Sequence, residues 1–343
     1  MKFIYIIIVL FILCGSNILA QDPHFSAMDY SSQNLSPALV GAKYDVQANI
    51  NYRNQWSSFS KPFQTVGAAV DARINPKGTK NKGYFAAGIN FLSDKAGENN
   101  FETNNFGITL GYHIKLADEH ILGVGLQFGY GERNFGFGTG QWGNQYNGYA
   151  YDSNLPSGES FARSHFGYFD MGSGLSYIFR KEASHDAHHN GFLLNIGFAA
   201  YHNNTPAISF MDSKIDPLYT RWVGFLNAEV GLGKSNMALE PLIIIQAQGP
   251  FVQTFVGTSF RFYFGDDYSF YNVPSFALGI FYRDLDAMVT RMSVRYKGAE
   301  IGAAYDINML SSLKRSSKSQ GAFEIFVRYV LNYKKPSSQK YDD

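Results

Sequence analysis

The sequence predicts an all-β protein, a transmembrane antiparallel β-barrel of about 14 strands with short turns at one end and longer loops at the other. Three observations lead there. Apolar and polar residues alternate with a period of two in segment after segment, the pattern of strands with one apolar and one polar face. These segments are longer than the ~5–6 residues usual in soluble sheets and match the ~9–11 that cross a bilayer at a tilt. Only 17% of residues are charged, while Gly (34), Tyr (23) and Phe (30) abound, as interfacial aromatics and close strand packing require.

The chain opens with Lys2, an apolar run over 3–14 and "GSNILA". This is a secretory signal peptide, residues 1–20, with cleavage after Ala20. The run is shorter than the ~20 residues of a transmembrane helix, and bulky Leu13 precedes Cys14 where a lipoprotein signal needs a small residue. Cys14 is the single cysteine, so the mature chain depends on a closed hydrogen-bonded sheet rather than disulfides. Without Lys2, 28 basic residues face 28 acidic ones, a balance that gives no footing for nucleic acid.

Residues 21–43 precede the first strand and carry Phe25, Met28, Tyr30 and Leu35. Such side chains do not dangle in the periplasm. The segment either packs on the periplasmic mouth or enters the lumen as a plug, and it forms part of a partner surface. The barrel follows over 44–333. Its first strand, 44–53, sets Tyr44, Val46, Ala48, Ile50 and Tyr52 toward lipid and Asp45 through Arg53 inward. The same alternation marks 63–74, 83–93, 105–116, 120–131, 166–180, 190–202, 221–232, 237–247, 251–264, 275–283, 286–297, 299–308 and 321–333. A polar tail, 334–343, closes the chain.

With the N-terminus periplasmic, the fifth connection (132–164) and the seventh (203–219) are long and extracellular, whereas "ADE" (117–119) and "KSN" (234–236) are short inner turns. The inner turns "NPKGTKNK" and "KEASHDAHHN" are longer and charged, a partial departure from the rule. Exposed aromatics anchor interfaces, so Phe135, Phe137, Trp142, Tyr146, Tyr149 and Tyr151 make the fifth connection the candidate extracellular binding surface. The alternative is a loop folded over its own barrel.

A soluble sandwich also alternates. Aromatic clusters at strand ends, long strands and the lack of a covering helix favour lipid. So does the opposite face, which carries Arg53, Asp71, Arg221, Glu229, Glu240, Arg261, Arg291, Arg295, Asp306, Glu324 and Arg328. That set suits a polar lumen. It either lines a channel or pairs across the interior and closes it, and the balanced signs favour closure.

No catalytic motif is present: no G-x-S-x-G, no H-E-x-x-H and no phosphate-binding glycine loop. His185, Asp186, His188 and His189 read as a solvated turn, since no paired ligand strand accompanies them. His202 reads as a loop hydrogen-bonder. The sequence therefore predicts no catalytic, metal or cofactor residue, and no enzyme.

Three motifs resemble the PorP/SprF family of outer-membrane proteins of the type IX secretion and gliding machinery in Bacteroidota. Asp22, Pro23, Phe25 and Ser26 match its N-terminal segment. Pro37, Ala38 and Gly41 match a following turn, with Ser36 where Asn is usual. Asn51, Tyr52, Arg53, Gln55 and Trp56 match a strand end. Weaker echoes at 202–206, 239–245, 276–283, 301–308 and 321–331 extend the likeness along nearly the whole mature chain. The resemblance implies a non-catalytic outer-membrane component working with periplasmic ring and motor proteins, or with a surface adhesin or secreted protein bearing a sorting domain. The polar lumen alone equally allows a barrel passing small or hydrophobic solutes.

Overall fold

The computed structural model describes residues 22–57, 61–74, 83–97, 100–136, 141–158, 163–181, 191–211, 216–233, 235–264, 273–284, 286–309 and 317–331. The expected signal peptide, Phe137, the 185–189 histidine cluster and the 334–343 tail lie outside the described residues.

Fourteen strands form one sheet. They are β1 (Val46–Gln55), β2 (Phe63–Ile74), β3 (Gly83–Ala96), β4 (Phe101–Ala117), β5 (His120–Asn134), β6 (His165–Lys181) and β7 (Phe192–Tyr201). The second half comprises β8 (Arg221–Gly231), β9 (Met237–Gln248), β10 (Phe251–Tyr263), β11 (Ser275–Arg283), β12 (Ala287–Tyr296), β13 (Ala299–Asn308) and β14 (Gln320–Leu331). Each pairs antiparallel with its sequence neighbours, and β14 closes on β1 from Val46↔Leu331 to Gln55↔Ala322. Closure leaves no unpaired edge, the condition for β-structure in lipid.

The pleat fixes two faces. Ile50, Phe85, Ile89 and Ile280 stand exposed on the outside, while Asn49, Asn51 and Arg53 are buried on the inside. A slip of one residue in any register would exchange the faces, so alternation and pairing specify each other. Among the described residues no helix is long and apolar enough to cross a membrane; the strands do it.

The expected bounds of β2, β11 and β13 agree with the structure, but β1 starts later. Tyr44 does not face lipid. It is buried, with the Arg328 guanidinium 5.5 Å from its ring centre. The cause lies next door: Arg73 Nη1 donates to the Asp45 carboxylate at 2.9 Å, and the Arg73 amide donates to the Asp45 carbonyl at 2.8 Å. These bonds pin the chain at the inner wall until Val46 enters the sheet.

The interior is filled. Residues 22–45 run through it as three short helical turns (Met28–Tyr30, Ser32–Leu35, Pro37–Leu39) joined by irregular chain. Met28, Leu35, Leu39 and Ala42 pack in one apolar cluster with Leu193, Phe225, Leu242, Ile244 and Phe281 of the wall. Of the two placements expected for the segment, the structure has the second: it is inside the barrel.

Candidate functional site

The inner segment and the wall around it form the candidate site. Its path can be followed from partner to partner. Asp22 sits at the end where β7 leads into β8 by a long connection. Its carboxylate lies 2.6 Å from His202 Nε2 and 3.4 Å from Arg221 Nε, and its amide donates to Gln248 Oε1 at 3.0 Å. His202 Nδ1 meets Asp170 at 2.9 Å. Burial disfavours the charged imidazole, but the two carboxylates outweigh it and lift the His202 pKa to about 9. Burial would likewise raise the Asp22 carboxyl, yet the charge and hydrogen bond of His202, with Arg221, hold it well below the usual carboxylate range.

Next comes a charge cluster. The Ser26 and Ala27 amides donate to the Glu324 carboxylate at 2.6 and 3.1 Å. Ser26 Oγ donates to Asp306 at 2.7 Å and accepts from Arg53 and Arg283, each at 2.6 Å. Both arginines also reach Asp306, at 2.7 and 2.8 Å. Asp29 pairs with Arg291 at 2.6 Å. Tyr30 donates to Glu300 at 3.0 Å, and its ring lies against Phe326 with the Arg328 guanidinium 4.5 Å from its centre. Glu300 also gathers Arg261, Arg295 and Arg328 at 2.8, 3.2 and 2.6 Å, while Arg261 holds Glu240 at 2.6 Å. Burying charge is costly unless each ion is paired and hydrogen-bonded, and these ions satisfy that demand.

The segment then crosses to β2–β6. Gln33 Nε2 donates to the carbonyls of Val70 and Ile89 at 3.1 and 3.2 Å, and Tyr201 donates to the Gln33 carbonyl at 2.7 Å. Ser36 Oγ caps the Pro37–Leu39 turn by accepting from the Ala38 amide at 3.2 Å. Ser176 donates to the Ala38 carbonyl at 3.0 Å, and His113 Nε2 meets that of Val40 at 2.7 Å. The Gly41 amide donates to Asp71 at 2.7 Å; Arg73 donates to the Gly41 and Ala42 carbonyls at 2.7 and 2.9 Å, and Arg180 to that of Lys43 at 3.0 Å. Wall side chains thus grip the main chain of the segment from end to end.

This wall admits the segment because it lacks side chains. A Cβ on Gly125 would overlap the Pro37 carbonyl, one on Gly174 the Ser36 hydroxyl, and one on Gly111 would stand 2.5 Å from Val40. Gly41 itself has φ +59, the left-handed region that glycine adopts without strain. Two spaces beside the segment are small. One of about 50 Å³ is lined by Asp29, Lys43, Glu229, Glu240, Arg295 and others. One of about 30 Å³ lies beside Asp22, His24 and Arg221. Each has room for water, not for a solute.

The three motif regions converge here. Ser26 of the first touches Arg53 of the third, and Asn51 shares Glu324 with Ser26. Pro37, Ala38 and Gly41 of the second meet the glycine wall, and the variant Ser36 serves as the cap. Phe25 packs over Gly67. Tyr52 accepts from Asn54 and Gln64 on the outer face, Gln55 closes β1 opposite Phe63, and Trp56 turns the chain at φ +61, its ring 5.0 Å from Phe63. Pro23 adjoins Asp22, partly buried.

The eleven expected inward charges are all on the inner face. Nine are buried, and Arg221 and Glu240 are partly so; Glu229 accepts from Tyr263. Sequence reasoning missed Asp29, Arg283 and Glu300. Glu300 was findable, since it shares the parity of Asp306 along β13, as Arg283 shares that of the inward residues of β11. The role of His202 as the anchor for Asp22 carried no local signal.

The aromatics of the fifth connection do not act as one exposed set. Phe135 is tucked among Phe101, Phe210 and Trp142, with ring centres at 6.4, 5.8 and 6.5 Å. Phe135 and Trp142 are partly buried, because apolar rings at the rim gain more from each other than from water. Tyr146, Tyr149 and Tyr151 are exposed. Among the described residues no group of His, Cys, Asp and Glu is placed to hold a metal ion.

A closed, even-stranded antiparallel barrel with an apolar outside and a polar, paired inside is a membrane-spanning β-barrel of the outer-membrane type. The chain belongs to the PorP/SprF family: residues 17–329 match the family described as type IX secretion system membrane protein PorP/SprF. Similar solved structures include the "TodX deltaS2S3 mutant monoaromatic hydrocarbon channel", with a TM-score of 0.45 and 12% identity, covering 87% of this chain and 93% of that one. The "CymD monoaromatic hydrocarbon channel" aligns with a TM-score of 0.44 and 10% identity, over 89% and 93%. BamA from Haemophilus ducreyi lacking POTRA domains 1–3 aligns at 0.41 and 8%, over 84% and 71%. No match was found among curated proteins.

Proposed function

We propose that the protein is a non-catalytic outer-membrane component of the type IX secretion and gliding machinery that supports export or surface attachment of a partner protein. Its role is that of a rigid, membrane-held scaffold and not of a solute channel. The observation carrying this reading is the lumen, occupied by residues 22–45. These are held on one side by the Asp29–Arg291 pair and hydrogen bonds to the buried carboxylates of Glu324, Asp306 and Glu300, and on the other by main-chain hydrogen bonds. Lipid surrounds the barrel. Periplasmic ring and motor proteins meet the short-turn end, and an adhesin or a secreted protein with a sorting domain meets the long-loop end.

The test has two arms. Deleting the chain from its native cell removes one or more proteins from the surface or the medium, measured by surface proteomics. The purified barrel in planar bilayers passes no steady porin-sized current. A steady current with an unchanged surface proteome would replace the scaffold by a solute channel.

A further inference from the structure

We infer that the hairpin at the tip of the fifth connection, residues 141–158, is a preformed docking surface for a folded partner protein. It recognises a patch of low charge that presents main-chain groups. This deepens the proposed function and rests on it.

The first observation is exposure with order. Tyr146 and Tyr151 face one another across an isolated antiparallel bridge, which sets their side chains on one face. Between them the Asn147 amide donates to the Ala150 carbonyl at 3.1 Å, and Asn147 Oδ1 accepts from the amides of Tyr149 and Ala150, each at 3.0 Å. Gly148 takes φ +98 to close the turn. The result lifts Tyr149 to the tip, where it is 95% exposed, with Tyr146 60% and Tyr151 43% exposed below it.

The second observation is that the base is fixed. Gln145 is buried; its Oε1 accepts from the Trp142 amide at 3.2 Å and its Nε2 donates to the Leu155 carbonyl at 3.1 Å. The Asp152 amide donates to the Gln145 carbonyl at 2.8 Å. Trp142 then docks on Phe135, and Phe135 on Phe101 and Phe210 at the rim. The three phenols are therefore held before any partner arrives, and docking orders little further chain.

The third observation names the partner. Residues 141–158 hold one charged side chain, Asp152, whose Oδ1 is taken by the Asn154 amide and side chain, both at 3.0 Å. A surface whose single carboxylate is partly buried and hydrogen-bonded to Asn154 offers a strongly basic or acidic partner little charge to pair with. Its Tyr, Asn, Gly and Ser content is that of protein-binding loops, where tyrosine supplies area at low conformational cost and amides supply adaptable hydrogen bonds. Exposed Gln141 and Asn144 present both donors and acceptors, the complement of peptide groups.

The test uses the full chain in its native cell. A photo-crosslinking phenylalanine analogue at Tyr149 should trap one protein. Replacing Tyr146, Tyr149 and Tyr151 together with alanine should lower that protein's surface level by about tenfold or more, as loss of central aromatic contacts does. The triple phenylalanine variant should keep most of it, and the heat-modifiable mobility of the barrel should not change. Adducts only to lipopolysaccharide, no adduct, or a surface level within about twofold of normal in the alanine variant would overturn the inference. If deleting the whole chain also leaves the surface proteome unchanged, the proposed function falls with it; if deletion removes the protein and the alanine variant does not, only the docking surface falls.

Discussion

The two sides of the barrel interior hold the same inner segment by opposite means. Strands β1 and β9–β14 hold it with charge: Arg53, Arg261, Arg283, Arg295 and Arg328 pair with Glu240, Glu300, Asp306 and Glu324 across the wall. The segment joins this network through Asp29 on Arg291, Ser26 on Asp306 and Glu324, and Tyr30 on Glu300. Strands β4–β6 hold it with absence, since Gly111, Gly125 and Gly174 clear the space into which Pro37–Val40 fits. The first side is specific through long-range pairing, the second through shape. A charged wall tolerates small displacements, because ions can be re-paired or reached by water. A wall with backbone against backbone does not, since close-packed atoms have nowhere to go.

The largest expected effect follows from that contrast. Gly125→Val sets a branched side chain into the Pro37 carbonyl, so the segment must leave its seat. The variant should lose the heat-modifiable folded band, or keep it and gain bilayer current and protease sensitivity at 22–43. An unchanged band with a silent bilayer would show that shape does not hold the segment.

Next is Asp306→Asn. It strips Arg53 and Arg283 of their shared carboxylate inside the barrel, and removing one partner of a buried pair costs about 3–5 kcal/mol. The urea midpoint of the refolded barrel should fall accordingly. The double variant Arg53→Met, Asp306→Asn should recover part of the loss; no recovery would argue against coupling.

A smaller effect concerns pH. His202 is raised from 6.5 to about 9, so its contribution is complete below pH 6.5 and is lost as pH climbs through about 9. Asp22 is depressed, so its part is lost only in acid. Hydrogen exchange at residues 22–27 should therefore quicken above about pH 9 while 36–42 stays protected. His202→Asn, which accepts the left-handed φ of +58, should abolish the alkaline step. The smallest change is expected at Lys95 and Glu102, 3.5 Å apart with Lys95 58% exposed: breaking this pair should shift stability by at most about 1 kcal/mol.

Much of this was legible in the chain. The alternation in "FQTVGAAVDARI" gave β2 to the residue, because a strand with lipid on one side cannot hide its period. The inward charges followed from the same parity. Tyr44 was not legible: it keeps the alternation of β1 but belongs to the inner segment, and only its contact with Arg328 shows which. Nor was the pairing of Asp22 with His202, separated by 180 residues, since ion pairs depend on which strands closure brings together. The aromatic loop was legible as composition, but its division into buried Phe135 and exposed Tyr149 was decided by the neighbours Phe101 and Phe210.

By itself the sequence determined the barrel, its strand count, its two faces and its family, because each rests on local periodicity or contiguous motifs. The tertiary structure alone decided that residues 22–45 fill the lumen and that glycines of one wall and ions of the other hold them there. The reason is physical. Periodicity is written along the chain, whereas filling a space and neutralising a buried charge depend on atoms that only closure of the sheet brings within reach.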